Sequence, residues 1–75
     1  MIVPAKVTKA DVDSLIAFAP QHAHLFAENN GRAESMKDLG VLFAEFDAAD
    51  AASKARYRGS RIAYAAARLN ESVTF

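Results

Sequence analysis

The stretch SMKDLGVLFAEFDAADAASKARYRGSRIAYAAARL, residues 35–69, decides how this chain folds. Apolar and small residues recur along it at steps of three or four, which places them on one face of an α-helix. They are Leu39, Leu42, Phe46, Ala49, Ala52, Ala55, Gly59, Ile62, Ala66 and Leu69. Proline is absent from the stretch, and alanine, the strongest helix former, recurs throughout it. The pattern therefore predicts a mainly helical protein.

A continuous helix over this stretch would be about 52 Å long, which exceeds the width of a compact domain of this size. Either the helix breaks and the chain folds back, or part of one long helix projects toward a partner. Three successive steps of three, from Phe46 to Ala55, depart from a heptad, and Asp47 and Asp50 are both good N-caps. We favour a break or sharp bend near residues 47–50, with the last helix ending near Leu69 or Asn70.

The composition bounds the class of protein. Residues 1–75 make a single small domain, of which 52% of residues are hydrophobic and 24% charged. A chain this short has a small core, and the absence of cysteine leaves no disulfide to stabilise it. We therefore expect a partner or self-association to add stability. No apolar run of membrane-spanning length and no signal-peptide pattern occurs, so we expect a cytoplasmic protein with no membrane association.

The first helix begins with clear sequence signals. Thr8 is the predicted N-cap and Asp11 stands at the position of a capping box, while Val7 and Val12 occupy hydrophobic-staple positions. The residues predicted to face the core are Val12, Leu15, Ile16 and Ala19.

Pro20 should end this helix and begin a second, short one that runs to about Asn29. Leu25 and Phe26 should point inward, and Asn29-Asn30-Gly31 should form a turn. We expect the next helix to begin with Ser35 as its N-cap, and Gly40 within it to mark close packing or a bend.

The two ends of the chain contain β-type residues, at 1–7 and 71–75, and either pair as accessory strands or tuck against the core. The predicted fold class is therefore all-α. We expect a small bundle of three to four helices with a long or bent C-terminal helix and short extended termini.

Charge is distributed unevenly although the net charge is zero. Residues 28–50 carry a net charge of −4, and residues 51–71 carry +4. The two segments either lie antiparallel and neutralise each other, which we favour, or mark an interaction surface.

The basic residues of the second segment form the sharpest candidate site. On a continuous helix Lys54, Arg58, Arg61 and Arg68 line one face, with Tyr57 and Tyr64 beside them. Arginine and tyrosine are frequent at the centres of protein–protein interfaces, and the same types bind phosphates and stack on bases. A solvated face anchored by its tyrosines is the structural alternative. We assign these six residues to partner binding.

Small residues on the same helix would let another helix approach closely. This seam comprises Ala52, Ala55, Gly59, Ile62 and Ala66. Its neighbour would be either the chain's own first helices or a second copy, and a symmetric dimer is the usual solution. We assign these five residues to self-association.

Features of an enzyme or a metalloprotein are missing from the sequence. It has no glycine-rich phosphate loop and no nucleophile elbow. His22 and His24 are two residues apart, so on a regular helix they point in different directions, and we expect both at the surface or an interface. We therefore expect no catalytic residues, no metal site and no cofactor.

Three functions remain open. The one we favour is a small non-enzymatic protein-binding module, an adaptor or inhibitor that occupies a partner's surface, as a homodimer. The first alternative is a nucleic-acid-binding protein that uses the basic stripe, which the zero net charge disfavours. The second is a structural subunit of a larger helical assembly.

Overall fold

The computed structural model describes residues 3–27 and 31–72, and within these ranges the chain forms five helices and no strand. The elements in order are α1 (Lys9–Phe18), a 3₁₀ helix (Pro20–Phe26), α2 (Arg32–Ala48), α3 (Ala51–Arg56) and α4 (Arg61–Ser72). The all-α fold class is confirmed.

The first helix begins as its sequence predicts. The Thr8 hydroxyl accepts a hydrogen bond from the Asp11 amide at 3.3 Å, and the Asp11 carboxylate accepts one from the Thr8 amide at 3.0 Å. Two donors that the helix would leave unpaired are thus satisfied, and Val12 is buried behind them. The helix ends before Pro20, which begins a 3₁₀ helix that stops at Phe26 rather than near Asn29. Residues 28–30 lie outside the described part of the chain.

The start of α2 differs from the prediction. The helix begins at Arg32, one turn before the predicted N-cap Ser35, and Gly31 precedes it with a φ of 72°. Ser35 lies inside the helix, and its amide donates to the Gly31 carbonyl at 3.0 Å. The Ser35 prediction was wrong because a glycine in the left-handed conformation can precede a helix without a side-chain cap.

The predicted break near residues 47–50 is confirmed. Helix α2 ends at Ala48, and Asp50 caps α3 by accepting a hydrogen bond from the Ser53 amide at 2.8 Å. A second break follows at residues 57–60 and was not predicted from the sequence. The last helix then continues to Ser72, beyond the predicted end at Leu69 or Asn70.

The core lies where α1, α2 and α4 meet. The bulky members come from the first two helices, with Leu15, Leu39 and Phe43 almost fully buried. Helix α4 contributes Ala65 and Ala66, whose small side chains let its backbone lie close to both neighbours.

Gly40 confirms the predicted close packing. The Ala5 amide donates to the Gly40 carbonyl at 2.9 Å, and a Cβ added to Gly40 would lie 2.5 Å from the Ala5 carbonyl oxygen. The segment before α1 therefore crosses α2 at its one glycine. The strand pairing considered for the termini involves residues 1–2 and 73–75, which lie outside the described residues, while Glu71 and Ser72 are helical.

Candidate functional site

The six predicted partner-binding residues do not share one helix. Lys54 lies in α3, Tyr57 and Arg58 lie in the following turn, and the remaining three lie in α4. The continuous basic stripe was therefore a wrong expectation, because the second break reorients the chain between Arg58 and Arg61.

The break has the hydrogen bonds of a Schellman motif. The Gly59 amide donates to the Lys54 carbonyl at 2.9 Å, and the Arg58 amide donates to the Ala55 carbonyl at 3.0 Å. Arg58, with a φ of 55°, holds the left-handed position that this motif usually gives to glycine. The chain's own glycine, Gly59, comes one residue later and also has a positive φ, of 72°.

Two of the α4 residues bind the neighbouring helix α2. The Tyr64 hydroxyl donates to Glu45 at 3.1 Å and accepts from Arg68 at 3.0 Å, while Arg68 forms a 3.5 Å ion pair with Glu45. Burial and the hydrogen bond to Glu45 raise the pKa of Tyr64. The Tyr64 ring also contacts the rings of Phe46 and Tyr57, with centroids 5.4 and 5.3 Å away. These contacts join the acidic and basic segments, as the neutralisation interpretation expects.

Arg61 joins α4 to the other two helices. Its guanidinium forms a 3.2 Å salt bridge with Asp11 of α1 and lies 4.3 Å from the centre of the Phe43 ring of α2. Arg61, Tyr64 and Arg68 therefore each contact a neighbouring helix, which gives these three α4 residues a structural role.

A different group of residues is exposed around the second break. The Phe18 side chain, at the end of α1, is 61% exposed, whereas large apolar side chains usually pack inward. It lines a shallow pocket of about 330 Å³ with five residues from the end of α3, the turn and the start of α4. We call this surface the Phe18 site; its other members are Arg56, Tyr57, Arg58, Ser60 and Ala63.

Part of this site was predicted from the sequence. Tyr57 and Arg58 were predicted, whereas Phe18 and Arg56 were not. The sequence does contain one indication of Phe18. This residue falls outside the apolar stripe of α1 that faces the core, so its large hydrophobic side chain is expected on another side of the helix.

The small-residue seam is divided as well. Ala66 is buried and Ile62 packs against the chain's own core, whereas Ala52 and Ala55 are exposed on α3. Gly59 lies in the turn. The expectation of one continuous seam was wrong because Gly59 ends a helical segment instead of lying within one, and self-association through these residues stays a prediction.

A second groove lies near the other end of α4. Its apolar lining comes from the 3₁₀ helix, α2 and α4, and its volume is about 390 Å³. We call it the Asp38 groove; it is lined by Leu25, Phe26, Ser35, Asp38, Val41, Leu42 and Leu69. Its charged lining residue is a carboxylate, so its electrostatic character is opposite to that of the Phe18 site.

His22 is buried, contrary to its expected place at the surface, while His24 is exposed. Within the described residues, neither ring nitrogen of His22 has a hydrogen-bond partner.

The described part of the chain holds no group of three or more His, Asp or Glu residues that could bind a metal ion. No helix in the described ranges has both the length and the apolar character needed to cross a membrane.

No protein-family model, curated protein or solved structure matches this chain.

Proposed function

We propose that the chain is a small non-enzymatic protein-binding module that acts by occupying a partner's surface with the Phe18 site. The observation that carries the proposal is the exposed Phe18 ring, which lies beside two arginines and a tyrosine in one concave surface. The residues that carry most of the binding energy at protein interfaces are enriched in tyrosine, tryptophan and arginine and lie in well-packed pockets. Phenylalanine is also enriched at interfaces relative to the rest of the surface.

The packing behind the site supports this proposal. The Tyr57 ring lies edge-on to Phe46 and Tyr64, with centroids 6.5 and 5.3 Å away. These contacts restrain the tyrosine before any partner arrives, so little side-chain entropy remains to be lost on binding.

Arg58 adds a second argument. The left-handed conformation is unfavourable for a residue with a Cβ and suits glycine, and space around the turn is open. Glycine would adopt the same backbone conformation without this strain, so an arginine at this position has a conformational cost. Strain of this kind is typical of residues whose side chains are needed for function.

The arrangement favours a protein over a nucleic acid. Arg61 and Arg68 form salt bridges with Asp11 and Glu45, so the cations do not form one continuous track for a phosphate backbone. Tyr57 is held edge-on by its neighbours, which leaves Phe18 as the exposed aromatic ring of the site.

The test is a pull-down with tagged protein from nuclease-treated host lysate, comparing wild type with Phe18→Ser and Arg56→Glu/Arg58→Glu. Val3→Ser is the matched control, because Val3 is 80% exposed but does not line the Phe18 site. We expect a discrete protein that is captured by wild type and Val3→Ser and lost in both site variants.

Circular dichroism must show that all variants retain their helices. Capture of the same protein by every folded variant would refute the role of the Phe18 site. Recovery only without nuclease, with loss at higher salt, would replace the proposal by the nucleic-acid alternative.

A further inference from the structure

We infer that the Phe18 site binds an acidic segment of its partner, in which a large apolar side chain is flanked by carboxylates. This inference rests on the proposed function and specifies the chemistry of the partner. The apolar side chain would lie against Phe18, Tyr57 and Ala63, and the carboxylates would accept hydrogen bonds from Arg56 and Arg58.

The positive charge of the site favours a ligand with negative charge. Among the residues that the structure describes, two arginines line the pocket and no aspartate or glutamate does. Within the described residues, Arg56 and Arg58 form no salt bridge, unlike Arg61 and Arg68. Asp50 interacts electrostatically with Arg56. Arg58 should therefore contribute most of the attraction for a carboxylate.

The side chains of the site define the geometry of the ligand. A guanidinium can donate two parallel hydrogen bonds to one carboxylate, and such pairs are among the strongest polar contacts in proteins. The volume of about 330 Å³ is at the small end of the range for ligand pockets, which suits one large side chain and adjoining backbone. A short linear segment fits this surface better than a broad, flat one.

The Asp38 groove serves as an internal control. It is also apolar and is slightly larger, but its charged lining residue is the carboxylate of Asp38. An acidic segment should be repelled there and attracted to the Phe18 site. A peptide bound only by hydrophobic contact would not distinguish the two surfaces.

The experiment uses three fluorescein-labelled peptides and the full chain. The probe is Asp-Glu-Leu-Phe-Glu-Asp; the charge control is Lys-Lys-Leu-Phe-Lys-Lys, and the apolar control is Asp-Glu-Ser-Ser-Glu-Asp. Binding is followed by fluorescence anisotropy, and the site is mapped by amide chemical-shift changes. We expect the probe to bind about tenfold or more tightly than either control, with shifts around residues 56–63.

Variants separate direct contact from a general charge effect. Arg56→Glu/Arg58→Glu should weaken the probe about tenfold or more and bind the lysine peptide in its place. Asp38→Asn changes the net charge without touching the Phe18 site, so it should leave the affinity for the probe unchanged. Equal affinity for probe and lysine peptide, or shifts confined to the Asp38 groove, would overturn the inference.

The pull-down and the peptide titration together distinguish a failure of this inference from a failure of the proposed function. If Phe18→Ser abolishes capture of a protein partner while the probe does not bind, the binding module stands and its acidic specificity is wrong. If capture and probe binding are both insensitive to the site variants, both proposals fail. Displacement of the probe by a single-stranded oligonucleotide that binds more tightly would also overturn the inference.

Discussion

Arg58 occupies the position where a Schellman motif usually has glycine, so this single residue connects the stability of the fold with the proposed binding. Replacing it with glycine removes the left-handed strain but also loosens the unfolded chain, so the two effects partly cancel. We expect Arg58→Gly to raise the free energy of unfolding by about 0.5–1 kcal/mol and to weaken capture of the partner. Urea denaturation and the pull-down measure the two quantities.

Two substitutions test the interpretation of Arg58→Gly. Arg58→Ala keeps the Cβ and hence the strain, so it should weaken binding without the gain in stability. Gly59→Ala introduces a Cβ at a φ of 72° and should destabilise the fold by about 1 kcal/mol. A loss of stability in Arg58→Gly would show that the arginine side chain supports the fold.

His22 is a second residue with an unfavourable environment, because a polar side chain is buried there. Its ring is fully buried and its two nitrogens lack hydrogen-bond partners among the described residues, an arrangement that carries a desolvation penalty. We expect His22→Leu to raise the free energy of unfolding by about 1 kcal/mol, because leucine fills similar space without polar atoms.

His22→Ala is the matched control, since it removes the same polar atoms but leaves a cavity. It should destabilise the protein by about 2 kcal/mol or more, and thermal and urea unfolding would compare the two. If the leucine variant is destabilised as strongly as the alanine variant, the imidazole makes a contact that stabilises the fold.

At the scale of elements, Gly40 decides whether the segment before α1 can cross α2. Alanine is worth about 1 kcal/mol more than glycine inside a helix, but here its Cβ would lie 2.5 Å from the Ala5 carbonyl oxygen. We expect Gly40→Ala to destabilise the protein and to increase hydrogen exchange at the Ala5 amide, which donates to the Gly40 carbonyl.

Truncation of residues 1–5 tests this interpretation. In the shortened chain the obstructing carbonyl is gone, so Gly40→Ala should stabilise by about 1 kcal/mol through helix propensity alone. The same loss in both backgrounds would locate the clash elsewhere.

The two helix breaks show what element boundaries depend on. The break before α3 follows from Asp50, whose carboxylate caps the helix through a contact three residues away. The break before α4 brings Tyr57 against Phe46 and Tyr64, which belong to two other helices. The break before α3 depends on a local contact and is predictable from the sequence, whereas the break before α4 also involves tertiary contacts.

At the scale of the whole molecule, stability depends on pH through two helix caps and through ion pairs and hydrogen bonds between helices. The Thr8 amide, together with the Arg61 guanidinium, lowers the pKa of Asp11 below its ordinary 3.8, and the Ser53 amide lowers that of Asp50. Their contributions are complete above about pH 3.8 and are lost as pH falls through the lowered folded-state pKa values.

Tyr64 affects stability at alkaline pH, because burial and the hydrogen bond to Glu45 raise its pKa above the ordinary 10.0. Its contribution is complete below about pH 10 and is lost as pH rises through the raised pKa. We expect melting temperature to fall on both sides of a neutral plateau. Asp11→Asn and Asp50→Asn should flatten the acid limb, and Tyr64→Phe the alkaline limb; unchanged limbs in these variants would contradict the assignment.

Periodicity and local signals in the sequence predicted the helical class, the capping box of α1, the stop at Pro20 and the break near residues 47–50. These features rest on periodicity and on contacts between residues a few positions apart, which the order of residues encodes directly. The position of Phe18 beside residues 56–60, in contrast, comes from tertiary packing. The reason is that Phe18 and Arg58 are brought together by the packing of α1 against α4, and contacts of that range depend on the whole core.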